Sequence, residues 1–561
     1  MDSITAADTN FSRKLGIMAV ALLALTWAAM SACLNNGFIN WDETAYLIRN
    51  PLVRSLSFEN IKAIFSSADL HLYTPLSTLS YAVEYHFAGL NPKVYHATNL
   101  ALHMASTILV FALAWRLLAR FASRGLTSLS DNARLLTAFG AALFFGIHPA
   151  HVESVAWVAE RKDMLYGFFF LLSLLLYLSR LEGEKLLYAF SLAAFALSLL
   201  SKPMAVTLPG ILLAYEFLLS GRLSLKAIWR VLPYAVLSGL ALLPILLSPG
   251  IGPAVGVTER LTVPLYNIGY YAGLLLFPVN LSAMHTGVSR AAALLTAIAV
   301  AASLVLLLRF RRQDRLLMTA LCLYIVPLLP VIQIIPFGQF VSADRYTYIA
   351  SIGFFLLLAL PAAEKLRGLP SGIKRVAAML AVFAVILLAA GARARCAVWF
   401  NGVTLWEDTL AKNQRATMAR SYLCSAYINS GNPEKAVPCA EESLRINGPS
   451  AGDYFNMGFA LASLGRAGAE AHMRKALELE PCHNMALLTL GEISFRSGDK
   501  GKSETYFRRA AKCGTDSPLP YFRLAEFAAE RGETVSSAEY RATAIRLAPG
   551  AVPPSRQGGR P

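Results

Sequence analysis

Residues 15–34 read LGIMAVALLALTWAAMSACL and include no charged side chain. A run of about twenty apolar residues is long enough to cross a bilayer as a helix. Similar runs recur as far as residue 391, and of all 561 residues 56% are hydrophobic and 15% are charged, whereas soluble domains are about 25% charged. Because the chain is also rich in aromatic residues and too long for one soluble core, it is neither disordered nor a single soluble domain. We predict an all-α, polytopic membrane helix bundle.

Eleven apolar runs predict membrane spans. They lie at residues 15–34, 97–115, 135–147, 164–179, 187–200, 204–220, 231–248, 291–308, 317–335, 348–362 and 376–391. The Lys and Arg residues, which give the chain a net charge of +16, collect in alternate short loops. Such loops face the cytoplasm, so we predict a cytoplasmic amino terminus and an external carboxyl-terminal tail. Because these cations lie in short turns and not on one soluble face, they do not indicate a nucleic-acid partner.

One apolar segment, 263–281, interrupts this alternation. As a further span it would move the RFRRQDR cluster at 309–315 to the external side of the membrane. Each charge costs about 2.5–3.5 kcal/mol at the membrane centre, and orientation follows the basic residues. We therefore expect 263–281 to be re-entrant or interfacial.

The first external loop, at about 36–95, is longer than the others. It is rich in aromatic residues and half apolar, whereas a simple connector would be short and polar. The spacing of its apolar residues predicts short amphipathic helices on the membrane surface at 56–65 and 76–87.

Glycines recur in the tail at Gly431, Gly465, Gly498 and Gly532, at intervals of 34, 33 and 34 residues. A period of about 34 residues with small residues at fixed offsets is typical of tetratricopeptide repeats. Such arrays bind extended peptides in a concave groove, and we favour this role over bracing of a neighbouring domain. The predicted division is a membrane domain at 1–400, a connecting helix within 401–415, four repeats at 416–449, 450–482, 483–516 and 517–550, and a disordered tail at 551–561.

Four of the seven cysteines lie in this tail, at Cys424, Cys439, Cys482 and Cys513. They form neither a CxxC motif nor a zinc-binding pattern. Pairing is expected in an oxidising compartment, but Cys is also a common small core residue. We favour core packing and leave disulfides open.

The first candidate for chemistry is the acidic pair Asp42 and Glu43, just beyond the first span. Adjacent acids in a loop are most often only solvated. Here Trp41 precedes the pair and Tyr46 follows it. A carboxylate beside aromatic groups near lipid can be desolvated and tuned as a general base.

The second candidate is the loop HPAHVESVAWVAERKD at 148–163. Its spacing of two His and one Glu does not match the HExxH pattern, and no fourth metal ligand is evident. We therefore expect no metal here and favour an anion-binding, substrate-positioning loop, with interfacial anchoring left open. The candidate residues are His148, His151, Glu153, Arg161 and Lys162.

The third set comprises Lys202 and Arg345, each at the outer end of a predicted span, with Tyr346 beside Arg345. Cations at such positions usually reach to the interface, but Arg also suits bidentate recognition of phosphate. His96 and His103 share one face of a predicted helix, where buried packing is at least as plausible as function.

Several of these segments together resemble one family. They are NWDETAYLIRNPLV at 40–53, HPAHVESVAWVAERKD at 148–163 and ADRYTYIASIG at 343–353. The resemblance is to the transmembrane and tetratricopeptide repeat proteins, which are protein O-mannosyltransferases of the GT-C glycosyltransferase fold, and here to a bacterial-type member. The chain departs from the animal members at Thr74, where they often carry a basic residue, and in its short repeat array.

The resemblance implies an inverting transfer of a sugar from a polyprenyl-phosphate donor, on the non-cytoplasmic face, to Ser or Thr of an exported protein held in the repeat groove. It implies Asp42 as the general base, with Glu43 completing the pair. Lys202, Arg345 and Arg161 or Lys162 would offset the charge of the lipid phosphate, so that neither a divalent metal nor another cofactor is required. The expected location is a bacterial inner membrane with periplasmic repeats, or an endoplasmic reticulum membrane with lumenal repeats.

Two alternatives stay open at this point. In the first, the protein is a glycosyltransferase whose acceptor is a cell-envelope glycan or a lipid. In the second, the protein is a non-catalytic membrane scaffold whose repeats recruit partners.

Overall fold

The computed structural model describes residues 2–66, 73–179, 184–247, 257–285, 289–311, 314–334 and 341–547. Every regular element in these ranges is helical, and no strand occurs in them. The chain divides into two compact units, one of residues 1–39 and 52–401 and one of residues 40–51 and 402–561. The all-α prediction is confirmed. The predicted disordered tail at 551–561 lies outside the described residues.

The first unit contains fifteen helices among the described residues. They are α1 Asp2–Met30, α2 Phe58–Ser66, α3 Pro75–Ala88, α4 Pro92–Ser123, α5 Asp131–Ile147, α6 Val152–Ala156, α7 Arg161–Ser179, α8 Lys185–Ser201, α9 Leu208–Ser220, α10 Leu225–Leu247, α11 Val257–Leu276, α12 Arg290–Arg311, α13 Arg315–Leu328, α14 Thr347–Arg367 and α15 Ser371–Val398.

Eight segments of the described chain are long and apolar enough to cross a membrane. Helix α5 and residues 149–156, which include α6, meet the same criterion only as a pair bent by 50° at its break, which is either a broken span or a re-entrant loop. Helices α8 and α13 are shorter apolar helices. Within the described residues, each of the eleven predicted runs overlaps one of these elements, although the run at 317–335 extends beyond the end of α13 at Leu328. Helix α11, which carries most of 263–281, is continuous over 20 residues and is not among the candidate spans in the described ranges. That 263–281 does not cross stays a prediction.

Local sequence signals explain where the long helices begin. Helix α4 starts at Pro92, and the side chain of Asn91 accepts a hydrogen bond from the backbone N–H of Lys93. Ser130 caps α5 by accepting from Ala133 N–H. These side chains satisfy donors that the first turn leaves without partners. Close packing also needs small residues, since a Cβ at Gly353 in α14 would collide with the backbone of α13.

Helices α2 and α3 lie in the long loop at about 36–95, where two short helices were predicted. Phe58 is 78% exposed and Phe87 is 81% exposed. Large exposed apolar side chains of this kind are suited to a lipid interface. Residues 67–72, between the two helices, lie outside the described ranges.

In the second unit, α16 Gly402–Lys412 precedes four helical hairpins. Each of the four recurring glycines takes a positive φ, between 64° and 82°, in the turn between the two helices of a hairpin. Glycine adopts this conformation without steric cost, which explains the period. The hairpins are α17 Thr417–Asn429 with α18 Pro433–Asn447, α19 Ala451–Ser463 with α20 Ala469–Leu479, α21 Asn484–Arg496 with α22 Lys500–Lys512, and α23 Leu519–Glu530 with α24 Thr534–Leu547. The unit is a tetratricopeptide solenoid.

The four cysteines of the tail are paired. Cys424 forms a disulfide with Cys439 between the helices of the first hairpin, and Cys482 with Cys513 joins the two ends of the third. The preference for unpaired core residues was therefore wrong. It failed because a small buried side chain and half of a disulfide look the same in one sequence.

Residues 40–51, which were expected in the membrane domain, belong to the same compact unit as the repeats. This segment carries Asp42, the candidate general base.

Candidate functional site

The segment 40–51 is held in a compact local fold around the acidic pair. The backbone carbonyl of Asp42 accepts hydrogen bonds from the N–H groups of Ala45, at 3.0 Å, and Tyr46, at 2.9 Å. A π-helical turn follows at Thr44–Ile48. These bonds fix the backbone on the carboxyl side of Asp42 and therefore restrict the position of its side chain.

The two acids of the pair differ in exposure. Glu43 is fully buried, whereas Asp42 is only partly buried. Burial and then the Asp42 carboxylate raise the pKa of Tyr422, which places that carboxylate close to the first hairpin of the repeats. Of the pair, Asp42 is thus the acid that is accessible to solvent.

Charged residues of the predicted loop at 148–163 meet others from distant helices inside the membrane unit. The group comprises Glu153, Glu160, Lys162, Asp163, Lys202 and Arg345, and we call it the ion-pair network. Its position follows from the chain path: α5 and α6 are bent by 50°, and short helical turns connect α6 to α7. All six side chains are nearly excluded from solvent.

Arg345 is held most firmly. Its Nη1 lies 2.5 Å from Oε1 of Glu153, and its backbone N–H donates to Oε2 of the same carboxylate at 3.0 Å. Its Nε lies 3.5 Å from Glu160. The guanidinium also lies over the rings of Trp157, at 5.5 Å, and Tyr346, at 5.1 Å. Arg345 is therefore fixed in position by charge and by aromatic contact.

The two lysines complete the network. Lys202 Nζ donates to Asp163 and lies 3.1 Å from Oε2 of Glu160. Lys162 Nζ lies 3.6 Å from Oε1 of Glu160. Three cations thus face three carboxylates, which is the arrangement that allows ionisable groups to persist in a buried environment.

Arg161 has a different set of partners. Its guanidinium donates to Asn99, to Ser80 Oγ at 3.2 Å and to the carbonyl oxygen of Tyr95 at 2.9 Å, and it lies 3.0 Å from Glu84. The side chain is completely buried. It thereby joins α7 to α3 and α4, so its contacts are those of a structural arginine.

The four candidate histidines are buried and hydrogen-bonded to the protein. His148 lies 3.1 Å from the carbonyl oxygen of Leu275, His151 lies 2.8 Å from that of Phe145, and His96 lies 3.3 Å from that of Gly37. His103 lies 3.0 Å from both Tyr348 Oη and the carbonyl oxygen of Gly146. In the ranges that the structure describes, no cluster of His, Cys, Asp and Glu is arranged to hold a metal ion.

Comparison with known proteins adds a family relationship. No family model matches the chain. Protein O-mannosyl-transferase Tmtc3 of Drosophila melanogaster is 27% identical over 491 residues, which are 73% of this chain and 52% of that protein. TMTC4 of Mus musculus is 31% identical over 171 residues, 28% of this chain and 22% of that protein. TMTC2 of Mus musculus is 42% identical over 106 residues, which are 19% of this chain and 11% of that protein.

Over these ranges the chain is similar to the TMTC protein O-mannosyl-transferases. It spans between about a tenth and a half of the length of these relatives. Two solved structures overlap it loosely. The match to the crystal structure of MamA covers 26% of this chain and 85% of that chain, with 16% identity and a TM-score of 0.23. The match to the crystal structure of the APC/C hetero-tetramer Cut9–Hcn1 covers 84% of this chain and 80% of that chain, with 13% identity and a TM-score of 0.25. Scores this low carry no conclusion.

The structure places the candidate residues in several separate clusters. Arg345, Lys202, Lys162, Glu153 and Tyr346 come together in or beside the ion-pair network. Arg161 and the histidines lie in other buried clusters of the same unit. Asp42 and Glu43 belong to the second unit.

Sequence reasoning missed a second polar cluster next to Arg345. Asp344 Oδ1 lies 2.7 Å from His285 Nε2, and its Oδ2 accepts from the N–H of Ser282 at 3.0 Å. The hydroxyl of Tyr270 lies 3.1 Å from the same imidazole. The only available signal was Asp344, in the quoted ADRYTY segment, because His285 is distant in sequence and follows no motif.

Proposed function

We propose that the chain is an integral-membrane glycosyltransferase of the GT-C type. It transfers a sugar, mannose by the family resemblance, from a polyprenyl-phosphate donor to Ser or Thr hydroxyls of a protein. The observation that carries the proposal is the match to a named protein O-mannosyl-transferase over 73% of the chain. The buried charges of the ion-pair network support it, since ionisable groups among membrane helices mark functional sites by default.

In the proposed reaction Asp42 acts as the general base. Its carboxylate accepts the proton of the acceptor hydroxyl as the oxygen attacks C1 of the sugar. The bond between C1 and the phosphate oxygen breaks, the polyprenyl phosphate leaves with the bonding electrons, and the configuration at C1 inverts. Asp42 suits this role because it is partly exposed, whereas Glu43 is buried and supports the segment from within.

The donor phosphate is the proposed ligand of Arg345, Lys202 and Lys162. A leaving phosphate gains negative charge as the bond breaks, and preorganised cations stabilise that charge. Glu153 serves as the positioning residue that aims the Arg345 fork. In this scheme side-chain cations neutralise the leaving group, and we propose no metal or other cofactor. Tyr346 lies against Arg345, while Arg161, His148 and His151 keep the structural contacts described above.

The proposed location is a membrane whose non-cytoplasmic side is oxidising. Disulfides form and persist in the periplasm and in the endoplasmic reticulum lumen and are rare in the cytosol. The two disulfides of the repeats thus support the same side that the Lys and Arg pattern predicts. We propose the bacterial inner membrane with periplasmic repeats, which bind the acceptor polypeptide.

The decisive test is the Asp42→Asn variant of the purified protein in lipid vesicles, supplied with polyprenyl-phosphate mannose and a Ser/Thr-rich peptide. Loss of the base is expected to lower the transfer rate about 100-fold or more. The matched control is Asp408→Asn, which removes the carboxylate that pairs with Lys412 in the same unit and should leave the rate unchanged. Transfer by Asp42→Asn above a tenth of the wild-type rate would remove Asp42 from the mechanism.

A further inference from the structure

The first helices of successive repeats form a continuous row. Helix α17 contacts α19, and α19 contacts α21. In repeat arrays, rows of this kind form the extended concave surfaces that bind peptides. The proposed acceptor site is this row.

Part of the row is already covered by the protein's own segment 40–51. At one end, the Asn40 side chain donates to the carbonyl oxygen of Tyr422, in α17, at 2.8 Å. At the other end, Nη2 of Arg49 lies 3.4 Å from Sδ of Met485, in α21. The segment therefore extends from the first hairpin to the third.

The attachment at the Asn40 end is specific. Asn40 Oδ1 accepts a hydrogen bond from Nε1 of Trp406 at 2.9 Å, so both polar atoms of its amide are used. The ring of Trp41 meets that of Trp406 edge-on at 5.1 Å, and Trp406 stacks on Tyr422 at 5.0 Å. A Cβ at position 402 would collide with the Asn40 side chain, so only Gly402 allows this approach.

The position of Asp42 in the segment connects these contacts to the candidate base. Asp42 lies two residues from the Asn40 clamp and directly after Trp41, so a displacement of either residue moves its carboxylate.

We propose that the repeats position the general base: Asn40, Trp406 and Tyr422 clamp the segment 40–51 on the row of first helices and thereby fix the Asp42 carboxylate. This inference rests on the proposed function for the role of Asp42. It assigns the repeats a part in the chemical step that is separate from acceptor recruitment. Sugar transfer to a peptide that is too short to bind the repeats therefore also depends on the repeats, because they position Asp42.

The test uses the full-length protein in lipid nanodiscs and two readouts. The main variant is Trp406→Phe, which keeps an aromatic ring but removes the N–H donor to Asn40, and Asn40→Ala provides a second variant in case the first does not fold. Tyr427→Phe is the matched control, because it removes one hydrogen bond between α17 and α16, the one to Glu407, and leaves the Asn40 contacts in place.

Hydrogen exchange of the peptide covering residues 40–51 is expected to accelerate about tenfold or more in Trp406→Phe and Asn40→Ala and to stay unchanged in Tyr427→Phe. With a short acceptor peptide, kcat is expected to fall about tenfold or more, because small displacements of a catalytic group are costly, while KM for donor and acceptor stays within twofold. The acid limb of the pH–rate profile, which reports the base, is expected to shift in the same two variants.

Unchanged exchange in both variants would overturn the clamp. Accelerated exchange with kcat within twofold of wild type, or with a higher kcat, would overturn the positioning role. If the wild-type protein transfers no sugar from any polyprenyl-phosphate donor, the proposed function fails, and the exchange readout still decides whether the repeats hold the segment.

Discussion

Single residues decide whether charges can remain inside the membrane unit. Each carboxylate of the ion-pair network lies on a different element, with Glu153 in α6, Glu160 in the turn before α7 and Asp163 in α7. Their partners come from the ends of other helices, Lys202 after α8 and Arg345 before α14. Since a buried charge without a partner is costly, each pair stabilises the junction of the elements that it joins.

This arrangement predicts a non-additive pair of substitutions. Arg345→Met leaves Glu153 buried without its main partner and is expected to cost about 3–5 kcal/mol of stability, whereas the double variant with Glu153→Met is expected to lose less than either single variant. Thermal unfolding in detergent, followed by tryptophan fluorescence, measures the effect.

The control is Arg445→Met in the repeats, because Arg445 is 73% exposed and lies 3.7 Å from an exposed Glu442. Exposed pairs contribute about 0–1 kcal/mol. An Arg345→Met protein that melts like this control, or a double variant that loses the sum of the single losses, would contradict the interpretation.

At the scale of the element, the first turn of α21 contains a group whose protonation depends on pH. His483 begins α21, where its Nδ1 accepts a hydrogen bond from the N–H of Ala486 at 3.2 Å. Burial lowers the pKa of His483 below its usual value of 6.5. The neutral imidazole is thus the form that caps the helix.

The cap predicts a pH dependence of the repeats. Because the unfolded chain binds the proton more readily than the folded one, the stabilisation by His483 is complete above pH 6.5 and is lost as the pH falls below it. His483→Asn keeps a capping acceptor without titrating. Its repeats are expected to lose less stability than wild type between pH 7.5 and about 5, as measured by hydrogen exchange of α21. Equal losses in the two proteins would rule out His483 as the cause.

The disulfides make a second prediction for the hairpins. Removing the bond that closes the third hairpin, in Cys482→Ser/Cys513→Ser, is expected to destabilise the repeats by about 2–4 kcal/mol. Hydrogen exchange of α21 and α22 in the full-length protein gives the loss. Cys322→Ser, which replaces a free and half-buried thiol in α13, is the control. No change in exchange would show that the fold does not depend on this bond.

At the scale of the whole molecule, we predict that the acidic pair and the repeats lie on one side of the membrane, because residues 40–51 and the solenoid form a single unit. Cysteines introduced at the exposed positions Ala45 and Ala467 are therefore both expected to react with an impermeant maleimide in intact cells. Ser128→Cys, in a basic loop, is expected to react only after permeabilisation. Reaction at only one of the first two positions would contradict the shared compartment.

The features predicted from sequence were those with a local cause. Apolar runs predicted the spans because bilayer thickness fixes their length, and the glycine period predicted the hairpins because each of these glycines takes a positive φ. The partners of Arg161, the cysteine pairing and the docking of residues 40–51 depend on tertiary contacts. Asn40 and Trp406, for example, are 366 residues apart and no local pattern connects them.

The contacts of residues 40–51 with the repeats change how a shortened protein should be interpreted. A chain ending at Asn401 would keep Asn40 and Trp41 but lose Trp406 and Tyr422, which contact them. Loss of transfer in such a shortened protein would therefore not measure what the solenoid contributes by recruiting an acceptor. Point substitutions on the part of the groove that residues 40–51 leave open would measure it.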